Sequence, residues 1–547
     1  MHKRILSAAL ACLLIALTAC GAPEKSGAAE EGSTSAASNT EEDPVTGEGE
    51  TMGTAVFDWS AHHVENPTVT VHDPSIFRDR DGRYYIVGTH LTSARSEDLV
   101  HWEQTDTVFR SSIDGDSMKQ VRAYNDDFKA GSPVGYLWAP DLIYNEKMQK
   151  YCVYLSANGD HWQSNIVLLT GDTPEGPFTY AGSVVYGGFT PDNWTETDVP
   201  RVLGLDPAKE ELPQRYVLNG VANEHWGDKF PNCIDPCVFY DEEGQLWMSY
   251  GSWSGGIFLL KLDGETGLRD YREEYPTEKH SDSYFGRLIA GGAYVSGEGS
   301  YIRHIGDHYW LFLSYGNLEA KGGYNIRVFR SEQPEGPYVD ERGNTPFYDS
   351  YVFNYNFPTG VRLFGAYQWD TAAVGMVAQG HNSALVDADG RAYIVFHTRT
   401  DNGTEYHYVR IHQLFLNSNG WLVAAPYRTN GEQLPEQGLP REEIVGDYDV
   451  ILHRLDVDYE HYGKNRPEQI RLNEDGSISG AYGGNWEVTE GTSYVTLDLV
   501  SETEKESDTY AGVCLTMTVD DTDVETPVFT ALGEKNQLSL WGTRHVP

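Results

Sequence analysis

The chain has 547 residues, a formal net charge of −42 and a mean hydropathy of −0.48. The charge argues against nucleic acid and anionic membrane surfaces as partners, and the hydropathy excludes a chain made mostly of membrane spans. The length exceeds one ordinary domain, so a large domain plus a smaller one is expected.

Residues 1–20 read as an export signal. His2-Lys3-Arg4 is the basic region, Ile5 to Ala16 the apolar region, and small residues follow. The apolar run is too short to span a bilayer. Leu17-Thr18-Ala19-Cys20-Gly21 looks like a bacterial lipobox with Cys20 as the lipidated residue; ordinary cleavage near Ala19 is the alternative. Residues 21–54 are Gly, Ala, Ser, Thr and Glu with almost no large apolar residue, which predicts a flexible tether. An anchor and a tether place the protein at a bacterial cell surface; without the anchor it is extracellular. Of the remaining cysteines, Cys152, Cys233, Cys237 and Cys514 make no disulfide framework.

From residue 55 to about 435 one unit recurs five times: a polar residue, a short apolar strand, a turn, and a second strand rich in Tyr, Trp, Ile and Val. The copies begin at Asp73 (DPSIFRD), Asp141 (DLIYNEK), Asp235 (DPCVFYD), Glu298 (EGSYIRHIG) and His381 (HNSALVDAD). Three share a turn glycine nine residues on, at Gly82, Gly244 and Gly390, and Gly306 follows Glu298 by eight. Five such repeats, about sixty to ninety residues apart, predict a five-bladed β-propeller. Blade one is expected to continue into a third strand over residues 96–102. Pro174-Glu175-Gly176-Pro177-Phe178 and Pro334-Glu335-Gly336-Pro337-Tyr338 form a second internal repeat. Insertions at about 183–230, 269–293 and 341–379 carry Trp194, Trp226, Tyr284, Tyr351, Tyr355 and Trp369, and are expected to rim the channel mouth. No amphipathic helix stands out, so the fold class is all-β. Residues 436–547 alternate apolar and polar between turns, and predict a small β-sandwich or β-barrel. The acids Glu502, Glu504, Glu506, Asp508, Asp520, Asp521 and Asp523 read as a solvated edge of that domain.

The first strand of a propeller blade lines the axis, so the five leading residues should meet at one mouth of the channel. Pooled carboxylates are unfavourable unless they do chemistry or bind a cation. Two separated carboxylates and a water suffice for inverting glycoside hydrolysis, one protonating the leaving oxygen and one activating water. A third carboxylate raises the pKa of the acid. From the residues alone, Asp73, Asp141, Asp235 and Glu298 share these roles.

The ordered set HDPS (72–75), SEDLVHW (96–102), WAPD (138–141), IDPCVF (234–239), YGSWSGGI (250–257), GEGSYI (297–302), YNIRVFRS (324–331) and GHNS (380–383) resembles glycoside hydrolase family 43, and within it the endo-1,5-α-L-arabinanases. The resemblance implies Asp73 as general base, Glu298 as general acid and Asp235 as the residue that tunes and orients the acid. It implies that His381 contacts an axial calcium ion held mostly through water. It also implies sugar contacts for Trp253, Ser254 and Gly255. Trp138, Gly159 and Asp141 are further candidates for the substrate. Asp141 is equally a structural residue, and blade packing is the alternative for both tryptophans. The expected substrate is arabinan or an arabino-oligosaccharide, taken by a monomer. The alternatives are an exo-acting β-xylosidase or α-L-arabinofuranosidase of the same family, and a glycan-binding propeller without catalysis.

Overall fold

The computed structural model describes residues 57–65, 68–125, 136–219, 224–350, 359–454, 463–501 and 507–546. The export signal, Cys20, the tether, Tyr351 and Tyr355 lie outside them.

Five antiparallel sheets follow one another along the chain. Blade one is β1 (Ser75–Arg78), β2 (Tyr84–Gly88), β3 (Thr92–Ser96) and β4 (Trp102–Gln104). The third strand ends where it was expected to begin, and Trp102 opens the fourth. Two short helices, α1 (Asp106–Ser111) and α2 (Gly115–Arg122), lead to blade two. That blade is β5 (Leu137–Asn145), β6 (Lys150–Ala157), β7 (Asn165–Gly171) and β8 (Phe178–Tyr186), followed by α3 (Val199–Leu203). Blade three has five strands: β9 (Cys237–Tyr240), β10 (Leu246–Tyr250), β11 (Ile257–Leu262), β12 (Ser281–Asp282) and β13 (Gly286–Ala290). Blade four is β14 (Glu298–Ile305), β15 (His308–Tyr315), β16 (Asn325–Ser331) and β17 (Val361–Arg362). Blade five is β18 (Met376–Val386), β19 (Ala392–Thr400), β20 (His407–Leu416) and β21 (Leu422–Ala424).

The repeat has a physical cause. The first turn of blades one, three and five closes over a glycine at positive φ: 95° at Gly82, 79° at Gly244 and 85° at Gly390. A side chain is strained there, so glycine fixes the hairpin and the strand that follows. The second strand runs between two others and between two blades. Every residue of β2, β10 and β19 is accordingly buried. Each buried Leu, Ile or Val there contributes about 1.5–3 kcal/mol. The ring closes in order, because β1 contacts β18 as well as β5. The Val409 N–H donates to the Val69 carbonyl at 2.9 Å, and the Ile76 N–H donates to Ser383 Oγ at 3.0 Å.

The four insertion aromatics among the described residues pack inward instead of rimming the mouth. Trp194, Trp226 and Tyr284 join the core of blades two and three, because rings this large gain more from a dry core than from a wet loop. Trp369 joins the core shared by blades three to five and the last domain.

That last domain begins with α4 (Arg441–Ile444) and is a closed eight-stranded barrel. Its strands are β22 (Gly446–Leu452), β23 (Glu468–Leu472), β24 (Ser477–Gly480), β25 (Tyr482–Val488), β26 (Tyr494–Ser501), β27 (Ser507–Thr518), β28 (Glu525–Gly533) and β29 (Ser539–Arg544). β29 pairs with β22, which selects the barrel over the sandwich. Side chains such as Tyr448, Trp486, Leu497 and Phe529 fill its interior. Its outer face is fused to the propeller. Trp541, Met517 and Val528 belong to the same core as Trp310, Phe364 and Phe396. Asp520 receives Arg410 at 2.8 Å and Arg428 at 3.4 Å, and Asp521 receives Arg428 at 2.5 Å. These two acids therefore lie in an ionic seam against the propeller, not on a solvated edge.

Candidate active site

Strand register decides which residues meet on the axis. The first pair of the regular ladder between first and second strands is Ser75–Val87, Asp141–Tyr154, Cys237–Ser249, Tyr301–Phe312 and Ser383–Val395. The residue two places earlier is Asp73, Ala139, Asp235, Gly299 and His381, and each has positive φ, between 39° and 58°. These five are the true equivalents. Bulges in β5 and β14 displace the other two expected leaders.

Asp141 therefore lies deeper in the molecule. It is 1% exposed, and both its oxygens are taken. Ser75 Oγ donates to Oδ1 at 2.5 Å, Tyr301 OH donates to the same oxygen at 3.4 Å, and the Val238 N–H donates to Oδ2 at 2.5 Å. Asp141 ties blades one, two, three and four together, and its burial keeps it from presenting either oxygen to a sugar. Burial pushes its carboxyl pKa up, against the nearby Arg303.

Asp73, Asp235 and His381 line one small axial cavity with Gly299 and Asn382. Asp73 Oδ1 lies 2.9 Å from His72 Nδ1 and 3.1 Å from His381 Nδ1. Its Oδ2 accepts the Thr89 hydroxyl at 2.5 Å. Burial alone would raise this carboxyl, but the imidazoles of His381 and His72 outweigh it and hold the pKa well below the usual 3.8. Asp235 has the opposite fate. It is 5% exposed, and burial, with the charges of Glu298 and Asp73, pushes it up to about 7 against the pull of His381. Burial works against the charged form of His381, yet Asp73, Asp235 and Glu298 raise its pKa overall.

Glu298 stands one residue before Gly299, at the bulge, so its side chain leaves the ring. Its Oε2 accepts Ser252 Oγ and Trp253 Nε1, each at 3.0 Å, and its Oε1 accepts the Tyr324 phenol at 2.8 Å. The Gly299 N–H donates to Asp235 Oδ2 at 3.4 Å, which joins the two acids through one peptide.

The expected sugar-contacting loop divides by side chain. Trp253 is half-buried and holds Glu298. Ser254 is buried and accepts Trp162 Nε1 at 2.9 Å. Gly255 is pressed against the Phe230 backbone, and Gly159 against the Gln163 carbonyl, so a Cβ at either would collide with main chain. Close packing explains these three small residues without a sugar. Trp138 is half-buried beside Ala139. Thr89, Ser252, Tyr324, His72 and His397 are the site residues that sequence reasoning did not assign. Tyr324 opens YNIRV and His72 opens HDPS, so their motifs were visible but their reach was not.

Among the described residues, His72, Asp73 and His397 form a group of three close enough to ligate an ion together. His381 is outside that group and offers a single nitrogen to the axial cavity. Asn382 lines the same cavity, and its Oδ1 is buried without a partner. One nitrogen, an orphan carbonyl oxygen and nearby carboxylates suit a hard cation that keeps most of its waters.

Residues 64–198 and 223–422 match the family described as glycosyl hydrolases family 43, and residues 426–542 match the C-terminal lipocalin-like domain found with it. The chain is 37% identical over 504 residues to an extracellular endo-α-(1→5)-L-arabinanase of Thermotoga petrophila, covering 88% of this chain and 95% of the relative. It is 35% identical over 447 residues to extracellular endo-α-(1→5)-L-arabinanase 2 of Bacillus subtilis, covering 78% and 85%. The crystal structure of an endo-1,5-α-L-arabinanase from Thermotoga petrophila superposes with a TM-score of 0.72 at 34% identity, over 88% of this chain and all of that one.

Proposed function

The chain belongs to glycoside hydrolase family 43, and on that premise we propose that it is an inverting endo-hydrolase of the α-1,5-L-arabinofuranosidic bonds of arabinan. The observation that carries this reading is the meeting of three carboxyls at one mouth: Asp73 and Asp235 line one axial cavity, and Glu298 is joined to Asp235 through the Gly299 peptide, with Asp73 held low by its imidazoles and Asp235 pushed up to about 7 by burial. Environments that push carboxyls apart define an acid and a base at the same pH.

Asp73 is the base. Ionised and steadied by Thr89, it removes a proton from the water that attacks the anomeric carbon. Glu298 is the acid, and its proton passes to the leaving oxygen. Ser252, Trp253 and Tyr324 fix its two oxygens, so the carboxyl does not swing during transfer. Asp235 keeps that proton available, because it is close enough to feel the charge of Glu298 and two neighbouring carboxylates are costly to ionise together. Inversion follows from direct attack by water without a covalent intermediate. Calcium, if bound, is held by His381 with Asn382 beside it, and supplies positive charge next to Asp73 and Asp235. Trp138 remains a proposed sugar contact.

The first relatives are named extracellular enzymes, which supports export. No helix among the described residues is long and apolar enough to cross a membrane; the proposed attachment is a lipid on Cys20. Product analysis on linear arabinan, branched arabinan and xylan tests the function. A ladder of oligosaccharides from linear arabinan supports it. Monosaccharide alone from the outset overturns endo action in favour of an exo-acting relative, and hydrolysis of xylan alone overturns the substrate.

A further inference from the structure

Four of the five blades hand one side-chain acceptor to the next blade's axial residue. The donor in each case is a backbone N–H in the left-handed conformation. Ala139 donates to Thr89 Oγ1 at 2.8 Å, Asp235 to Ser156 Oγ at 3.0 Å, His381 to Ser314 Oγ at 2.7 Å and Asp73 to His397 Nδ1 at 3.3 Å. The acceptors occupy one register position, two residues beyond the first ladder partner on the second strand. Around the ring that position reads Thr89, Ser156, Gly251, Ser314 and His397. Where it is glycine, the N–H of Gly299 is free to hold Asp235 instead.

Hydroxyls therefore suffice at three of the five positions, and the imidazole occurs only at the one facing the general base. It is not there for ease of packing. His397 is wholly buried, and its Nε2 has no partner, a cost that serine would not incur. Its ring lies between two others that reach the catalytic groups. His72, whose Nδ1 is 2.9 Å from Asp73 Oδ1, stacks on it at 4.2 Å and 20°. Tyr324, whose phenol holds Glu298, stacks at 5.9 Å and 20°.

We infer that His397 is the positioning residue of the general base. As the neutral Nε2–H tautomer it accepts the Asp73 N–H at Nδ1, keeps Asp73 in its left-handed conformation, and sets its spacing from Glu298 through the His72–His397–Tyr324 stack. The inference rests on the proposed roles of Asp73 and Glu298. An ångström of misplacement at a reacting group can cost about 100-fold in rate.

The test compares His397→Phe, which keeps a ring but no acceptor, with His397→Ser, which copies the sister blades. On linear arabino-oligosaccharide, His397→Phe should lose about 100-fold in kcat with KM within about threefold, and the acid limb of its kcat/KM profile should move to higher pH. His397→Ser should recover at least about tenfold of that loss. Unchanged kcat in His397→Phe, or a loss carried by KM with no movement of the acid limb, overturns the inference. Nitrogen-15 NMR of the wild-type histidines provides an arm that needs no substrate. An unprotonated, hydrogen-bonded Nδ1 on His397 at neutral pH is expected. A proton on that Nδ1 overturns the inference whatever the enzyme hydrolyses, whereas failure of arabinan hydrolysis with the expected NMR signature overturns only the substrate.

Discussion

The phenol of Tyr324 donates to Glu298 Oε1 at 2.8 Å, on the opposite oxygen from Ser252 and Trp253. The acid is thus held from three sides by donors on two blades. Tyr324→Phe should lower kcat about 10-fold or more, since a hydrogen bond to a charged group contributes roughly 1.5–3 kcal/mol, with little change in KM. Glu298→Gln removes the proton itself and should lose about 10²–10⁴-fold on arabinan. An aryl arabinofuranoside with an activated leaving group should suffer less. Equal impairment on both substrates would show that Glu298 is not the acid. Asp73→Asn should abolish turnover on both, and NMR of the wild-type product should show inverted anomeric configuration.

The pH profile follows from the two carboxyl shifts. Activity needs Asp73 ionised, and its pKa lies well below the usual 3.8, so the acid limb of kcat/KM should fall below about pH 4. The acid also needs its proton, and the carboxyl beside it, Asp235, gives up its own as pH rises through about 7. The rate should be flat between these limits and decline on the alkaline side of neutrality. Asp235→Asn removes a negative charge beside Glu298, so the alkaline limb should move to lower pH. An unmoved limb would assign that proton elsewhere.

His381 faces the axial cavity between Asp73 and Asp235. A cation held there would offset carboxylate repulsion, so its removal should lower activity and melting temperature together. EDTA treatment followed by restored calcium measures this, and His381→Ala should resemble the chelated protein without unfolding. Indifference to EDTA, with no metal found by elemental analysis, would leave His381 as an imidazole counter-charge to the two acids.

The barrel and the propeller share one core and the Asp520 seam. Calorimetry should therefore show a single unfolding transition. The side chains of Asp520, Arg410 and Arg428 are 21%, 7% and 17% exposed. Arg428 and Arg410 hold the Asp520 carboxyl below its usual pKa despite burial. Removing one partner of such a pair leaves a buried charge uncompensated, so Asp520→Ala should destabilise the whole chain by about 3 kcal/mol. Two separate transitions, with only the upper or lower one shifted, would show the domains to be independent.

Composition and repetition were enough to determine the architecture. Apolar second strands, turn glycines and five polar leaders specify five blades, because period-2 burial and positive-φ turns are local properties that any stretch of chain displays by itself. The motif set was enough to place Asp73, Asp235, Glu298 and His381 at one mouth. Tertiary structure decided which of the leaders are equivalent. A bulge inserts residues into one strand without changing its hydrophobic pattern, so Asp141 reads like Asp73 in the sequence but lies two residues deeper, and Glu298 lies one residue short of the ring. The acceptor chain through Thr89, Ser156, Ser314 and His397 was likewise invisible. Each of its hydrogen bonds joins one blade to the next, and the residues of the Asp73–His397 pair are 324 positions apart in the sequence. Only closure of the ring, which brings blade five against blade one, puts an imidazole under the base.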